Sequence, residues 1–268
     1  MPTVQEPVSL VVAGTAVRGM SYRPTETGGP LGMVLCDPFA EEKKSSQKTL
    51  AEMGRALAEA GIPALHLDYR GTGDSAGRFE QFNLEDWRQD ICAAVDWVRL
   101  RWGLGRVGLL GLRLGAALAA AEAGPCRACR LVMWEPILDG ERYARELAQR
   151  SNIKHMLTSG PGAAAAEQDQ QPGFQDLDGY LISPSLMSQL RALRLEPLEG
   201  YVRPALLIEC NARGEVSPTT QELMAGFPAG EARALAMEPF WQRIGLTDTT
   251  PLIEATVQWL QGPGQAPG

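Results

Sequence analysis

Arg106-Val-Gly-Leu-Leu-Gly-Leu-Arg-Leu-Gly-Ala-Ala-Leu118 joins an apolar run, a glycine-flanked turn and an alanine-rich run in thirteen residues. An apolar strand runs into Gly111-Leu-Arg-Leu-Gly115 and continues directly into an Ala-rich helix. In the nucleophile elbow G-x-S-x-G, glycines flank a sharp strand-to-helix turn that lifts the central residue above the sheet's C-terminal edge. Here the central residue is Arg113. A guanidinium keeps its proton in a protein and cannot attack a carbonyl, so nucleophilic catalysis from this position is closed.

On either side of this stretch, strands and helices alternate. Residues 31–36 read as a buried strand, and residues 45–60 carry Leu50, Met53, Leu57 and Ala60 at helical spacing with Gly61 as a C-terminal stop. Residues 62–67 form the next strand. Residues 85–102 form a long helix with Trp87, Ile91, Val95 and Val98 along one face. Residues 107–110 are the strand before the elbow, 116–123 the helix after it, and 129–134 a further strand. Such alternation implies an α/β fold with mostly parallel strands, helices on both faces, and ligands outside the strands' C-terminal ends. A hairpin over residues 8–13 and 17–23 precedes this core, and strands at 204–210 and 232–237 with a helix at 251–260 complete it.

Between Pro136 and Val202 the alternation breaks into a helical stretch at 141–150, a Gly/Ala/Gln-rich run from Gly160 to Gly173, and residues 176–195. The expected organisation is therefore a core of residues 1–136 and 203–261, a helical cap insertion over 137–202, and a flexible tail over 262–268.

Composition bounds the partners. With 268 residues, 44% hydrophobic, the chain can bury a sizeable core. Twenty-five basic against 32 acidic side chains give a formal charge of -7, which disfavours nucleic acid and anionic membrane surfaces as partners. No apolar run approaches the roughly 20 residues of a membrane span, and the first residues lack a signal-peptide pattern, so a cytoplasmic location is expected. Five cysteines, an odd number, argue for free thiols over a disulfide framework. Cys126-Arg-Ala-Cys129 has C-x-x-C spacing but no accompanying Cys or His cluster, so neither metal nor cofactor is expected.

The elbow, the turn Leu67-Asp-Tyr-Arg-Gly-Thr-Gly-Asp-Ser75 and the late Pro204-Ala-Leu-Leu-Ile208 strand together resemble the α/β-hydrolase fold, in its serine-aminopeptidase-like branch. More narrowly, Asp37-Pro-Phe-Ala-Glu-Glu42, Trp134-Glu-Pro136, Gly179-Tyr-Leu-Ile-Ser-Pro184 and Glu238-Pro-Phe-Trp-Gln242 resemble hydrolase-like proteins associated with exosortase A and exopolysaccharide loci. The resemblance implies a Ser-His-Asp triad, and each place is substituted. Arg113 stands at the nucleophile, Arg213 at the acid, and the segment around Pro239 lacks the histidine base. The chain has two histidines, His66 inside a buried strand and His155 in the insertion. His66 reads as a hydrogen-bonded structural residue and His155 as a surface residue of the cap.

Two functions stay open: a non-catalytic or non-serine accessory or binding protein of such a system, and an esterase or thioesterase using relocated groups, a buried cysteine paired with a histidine among them. A cation at a helix N-terminus opposes the macrodipole and calls for an anion. The internal candidates are Asp37, Glu41, Glu135, Glu209 and Glu238, with a bridge from Glu135 to Arg113 as one expectation. The other is a small anionic or acyl-bearing ligand, or a protein partner, meeting Arg113, Leu114, Asp37 and Phe39. The glycines of the 67–75 turn read as architectural, and Ser75 lacks a base to activate it.

Overall fold

The computed structural model describes residues 1–26, 28–158, 173–242 and 247–262, with backbone only over 154–158. The chain begins with the hairpin β1 (Thr3–Val12) and β2 (Thr15–Pro24). It then alternates through β3 (Leu31–Cys36), α1 (Glu41–Glu59), β4 (Ala64–Leu67), α2 (Leu84–Trp102), β5 (Arg106–Leu112), α3 (Leu114–Ala123) and β6 (Leu131–Trp134). Helix α4 (Gly140–Thr158), the small hairpin β7 (Gln175–Leu177) and β8 (Tyr180–Ile182), and α5 (Pro184–Ala192) follow. The core resumes with β9 (Ala205–Asn211), α6 (Pro218–Ala225), β10 (Gly230–Ala236) and α7 (Thr250–Gln261).

Eight strands form one sheet in the order β1-β2-β4-β3-β5-β6-β9-β10. Pairing is parallel from β4 through β10, while β2 runs antiparallel to both β1 and β4. The central strands β3 and β6 are buried at every position because both faces are covered. On β5, Val107 and Leu109 join the core beneath α2 and α3, whereas Leu110 and Leu112 join the core beneath α1 and α7. Helix α3 is buried almost all round, whereas α1 and α2 each bury one stripe. That of α2 carries Trp87, Ile91, Ala94, Val95 and Val98, and its ends are fixed by an Asn83–Asp86 capping box and a left-handed Gly103.

Three expectations are corrected. Helix α1 starts at Glu41 rather than at residue 45, which takes Glu42 out of solvent and into the core. Helix α6, absent from the sequence reading, connects β9 to β10 with Ser217 as its N-cap and Pro218 at its first position. The cysteines are not all free: Cys92 on α2 is disulfide-bonded to Cys126 after α3, leaving Cys36, Cys129 and Cys210 as thiols. The odd count excluded a full framework but said nothing of one pair. Packing of α2 on α3 brings their Cα atoms to 5.7 Å, well within bridging range, across 34 residues of sequence.

Among the described residues no helix is long and apolar enough to cross a membrane. The Ala/Gly-rich run at 159–172 and the tail beyond Gly262 lie outside the described residues.

The elbow glycines are steric requirements. A Cβ on Gly111 would meet the backbone of Gly115 and Ala116, and one on Gly115 would meet the carbonyl groups of Cys36 and Asp37. Helix α3 thus packs backbone to backbone on the end of β3. The obstacles are main-chain atoms and cannot rotate aside, so Gly115→Ala is expected to cost about 3 kcal/mol, the upper part of the overpacking range. Urea midpoints of the variant and the parent check this.

Candidate functional site

Three strand ends, those of β3, β5 and β6, converge above the sheet. Arg113 follows β5 at φ 55°, ψ -118°, Ala40 precedes α1 at φ 48°, ψ -122°, and Glu135 follows β6 at φ 46°. A non-glycine residue at positive φ is strained and persists only where its surroundings hold it. At Arg113 they do: its N–H donates to the Trp134 carbonyl at 2.9 Å, and its own carbonyl accepts from Ala116, Ala117 and Ile137. The elbow backbone is therefore intact beneath a residue that cannot act as nucleophile.

The Arg113 side chain is 11% exposed, and its Nε lies 3.4 Å from Glu42 Oε1. Its guanidinium sits 5.4 Å from the centroids of both Tyr143 and Trp241. Glu42 is 2% exposed and serves three partners. Tyr143 Oη donates to Oε2 at 2.8 Å, while Arg113 and Arg150 approach Oε1, Arg150 Nη2 at 3.3 Å. Burial on its own would push the Arg113 pKa down, but Glu42, together with the more distant Tyr143, Glu135 and Glu146, outweighs it and raises the pKa, so the guanidinium stays charged. Burial drives the Tyr143 phenol well above its ordinary value, with Glu42 adding to the effect, so the tyrosine stays a donor.

Glu135 is accordingly not the partner. Its Oε1 accepts from the Cys210 N–H, and it acts on Arg113 only through its charge. Burial raises its carboxyl pKa, since one backbone donor and a distant cation do not replace water. The strained backbone at Glu135 carries the side chain onto β9 instead of toward the elbow. Of the other candidates, Glu41 pairs with Lys44, and Glu209 accepts from Ser217 and Thr220 at the start of α6. Glu238 is exposed. Arg213 is exposed too, its N–H bonded to Asn211 Oδ1 at 3.0 Å. Pro239 opens the short turn Phe240–Gln242 that delivers Trp241 onto Arg113.

A second charged cluster lies beside the first. Asp37, 1% exposed, accepts from Lys43 and is 2.6 Å from His66 Nε2; Lys43 also bridges to Asp68. Burial would raise the Asp37 carboxyl, but Lys43 and His66 together outweigh it and hold the pKa at about 2. Ser75 Oγ donates to the Asp68 carbonyl at 2.7 Å and accepts from Arg18 N–H at 2.8 Å, which occupies it in holding the turn. Burial pushes the Cys36 and Cys210 thiols up, disfavouring thiolate at either. The side chain of His155 lies outside the described residues.

Two cavities flank Arg113 without being lined by it. One, of about 280 Å³, is lined by Asp37, Phe39, Lys43, Tyr69, Leu114 and Tyr180 among others. The other, of about 380 Å³, includes Glu42, Leu147, Arg150 and Trp241 in its wall, with Phe39 and Ala40 common to both. The structure brings Asp37, Phe39 and Leu114 together on the first cavity and leaves Glu135 outside it. Sequence reasoning missed Glu42, Tyr143, Arg150, Lys43 and Trp241. One signal was available: stepping back from Leu57, Met53, Thr49 and Ser46 at helical spacing arrives at Glu42, on the buried stripe.

The sheet, the intact elbow and the helices on both faces define an α/β-hydrolase-fold protein. The family model for X-Pro dipeptidyl-peptidase (S15 family) matches residues 14–188, more than half of the chain, and the chain belongs to that family. Among solved structures it is similar to ferulic acid-bound Est1E from Butyrivibrio proteoclasticus, with a TM-score of 0.69 at 17% identity, covering 95% of this chain and 98% of that one. An α/β serine hydrolase without lid from Xanthomonas campestris matches with a TM-score of 0.59 at 17% identity, over 98% and 97% of the two chains. A thioesterase domain from the curacin biosynthetic pathway matches with a TM-score of 0.56 at 15% identity, over 97% and 100%. No curated protein matches the sequence.

Two outcomes are expected from the charged clusters. Glu42→Gln leaves a buried guanidinium uncompensated and should cost on the order of 3 kcal/mol, while Glu42→Gln with Arg113→Leu should recover part of that loss. Chemical denaturation of the two single variants and the double variant measures it. Asp37 titrates below its ordinary value when folded, so the unfolded chain binds the more protons at acidic pH. Its contribution is complete above 3.8 and drains as pH falls toward about 2. Asp37→Asn should abolish an acid-side slope amounting to about 2 kcal/mol, as read from stability against pH.

Proposed function

We propose that this chain is a non-catalytic α/β-hydrolase-fold protein, a binding or accessory component of an exosortase A or exopolysaccharide system. The observation that carries the first half is the buried Arg113–Glu42 pair: a cation with an internal counter-charge occupies the elbow, where a nucleophile would stand. Arg213 is exposed and Trp241 stacks on Arg113 from the turn where a histidine base is due, which supports the same reading. The second half rests on the motifs around Asp37, Trp134, Gly179 and Glu238. Residues 137–202 act in this reading as a cap, with Tyr143 of α4 reaching down to Glu42.

Glu42 already compensates Arg113, so a ligand is not expected on the guanidinium. The cavity of about 280 Å³ is the better place, because Phe39, Tyr69, Leu114 and Tyr180 offer apolar and aromatic walls to an acyl or aryl group. Lys44, 5.3 Å from the Tyr180 ring centroid, would favour an anionic end at its mouth.

The rival reading, an esterase or thioesterase with relocated groups, requires a nucleophile beside a base. Among the described residues the one imidazole is engaged by Asp37, and the buried thiols beside the sheet are held protonated. The purified chain should therefore neither label with a fluorophosphonate nor hydrolyse p-nitrophenyl esters or acyl-thioesters above the buffer rate. Arg113→Ser should remain equally inactive, since an assembled triad is worth roughly 10⁶ in turnover and a hydroxyl alone supplies little of it. Stoichiometric labelling of a serine, or turnover by the parent chain, would replace this reading with the rival.

A further inference from the structure

On the sheet face away from α1, the sulfurs of Cys92 and Cys126 and the carboxylate of Glu122 lie within 4.8 Å of one another. A disulfide accounts for the two sulfurs but not for the carboxylate. Glu122 is 6% exposed, and its Oε2 sits 3.0 Å from Cys92 Sγ. A disulfide sulfur has no proton to donate, so a buried carboxylate oxygen turned onto it gains no hydrogen bond. Arg88 Nε occupies the other oxygen, Oε1. One carboxylate oxygen and two sulfurs thus lie within 4.8 Å of one another, with a guanidinium on the carboxylate's other oxygen.

We propose that, in the reduced protein, Cys92, Cys126 and Glu122 bind a zinc ion that crosslinks α2 to α3. A dithiol reductant opens the site: the Cys92–Cys126 S–S bond breaks, the dithiol supplies two electrons and two protons, two cysteine thiols form, and the reductant becomes a disulfide. Binding of Zn²⁺ then expels both thiol protons, since the thiolate is the ligand. Two thiolates and a carboxylate bring three negative charges against two on the metal, and Arg88 neutralises the remaining one. The donor set selects the metal. Thiolates favour zinc over magnesium or calcium, a Zn–S distance of about 2.3 Å and Zn–O of about 2.0–2.2 Å fit ligand atoms this close, and water completes four-coordination. The same two sulfurs therefore provide alternative crosslinks, covalent when oxidised and metal-mediated when reduced, between α2 and the helix that begins at the elbow.

The full chain, reduced with dithiothreitol and freed of it under nitrogen, is titrated with Co²⁺. The expected result is a thiolate-to-cobalt charge-transfer band saturating at one equivalent per chain, bleached by Zn²⁺, with a raised melting temperature in zinc. Cys92→Ser and Cys126→Ser should each lose the band, and Cys129→Ser should keep it. Glu122→Gln should weaken zinc binding by more than the roughly 10- to 100-fold that follows loss of a group merely supporting a ligand. No band in the reduced parent chain, or a band that survives Cys92→Ser, overturns the site. Should a serine variant fail to fold, alkylation of the parent chain decides by mass spectrometry. Zinc must protect Cys92 and Cys126 while leaving Cys129 as reactive as before, and equal alkylation with and without zinc overturns the proposal.

Discussion

The buried ion pair between Arg113 and Glu42 is the constraint on which the arrangement above the sheet depends. Arg113 is the N-cap of α3, where the exposed N–H groups of the first turn already repel a cation. Glu42 lies in the first turn of α1, where the same effect favours an anion. Pairing the two cancels the charge at both helix ends, and Tyr143 and Trp241 exclude water from the pair by supplying ring faces and a phenolic donor. One carboxylate therefore joins α1, α3 and α4 through a set of charge-assisted contacts. Removing Glu42 leaves the Arg113 guanidinium buried without its carboxylate, the costly case for ion pairs away from water, whereas without Arg113 the carboxylate keeps Tyr143 and Arg150.

The neighbouring Asp37 cluster follows the same logic with different parts. Lys43 is one residue along from Glu42 on α1, and it turns to the other side of the helix to bridge Asp37 at the end of β3 and Asp68 after β4. His66 completes the shell of Asp37 from β4 itself. Consecutive residues of one helix turn thus neutralise two separate sets of charges at the strand ends. The crevice is consequently rich in ionisable groups, and the described ones at the strand ends are paired with one another.

How much of this was legible in the sequence depended on the range of the interaction. The sheet, its parallel core and the elbow could be read because they rest on local pattern: apolar runs at strand length, helical stripes such as that of Trp87, Ile91 and Val95, and glycines at fixed offsets in Gly111-Leu-Arg-Leu-Gly115. That Arg113 stands at the apex of the elbow was likewise a matter of one residue at a fixed offset. The counter-charge was not legible in that way, because Glu42 stands 71 residues from Arg113 within an acidic and basic run that has the composition of a solvated surface. The Glu135 expectation failed for a related reason: adjacency of strand ends was inferred correctly, but the direction of the side chain depends on a positive φ that sequence does not announce. Cys92 and Cys126 show the same limit, since only helix packing brings them together.

Retention of the elbow geometry bears on what the site is for. A non-glycine residue at φ 55°, ψ -118° costs of order 1–3 kcal/mol, and Ala40 adds a second such position at the start of α1. In an active hydrolase that strain presents a nucleophile; here it presents a cation to a carboxylate. The conformation is fixed regardless of the side chain, because Gly115 packs on the main chain of Cys36 and Asp37 and leaves α3 one way to begin. The fold thus imposes the shape of the site, and the residue placed at its apex determines its chemistry. With arginine there, the strained turn becomes the point where α4 is tied to the sheet: Tyr143 from α4 reaches Glu42, and Glu42 reaches Arg113. The elbow position thus holds α4 down through Glu42, while the cavity between Phe39 and Tyr180 stays open beside it.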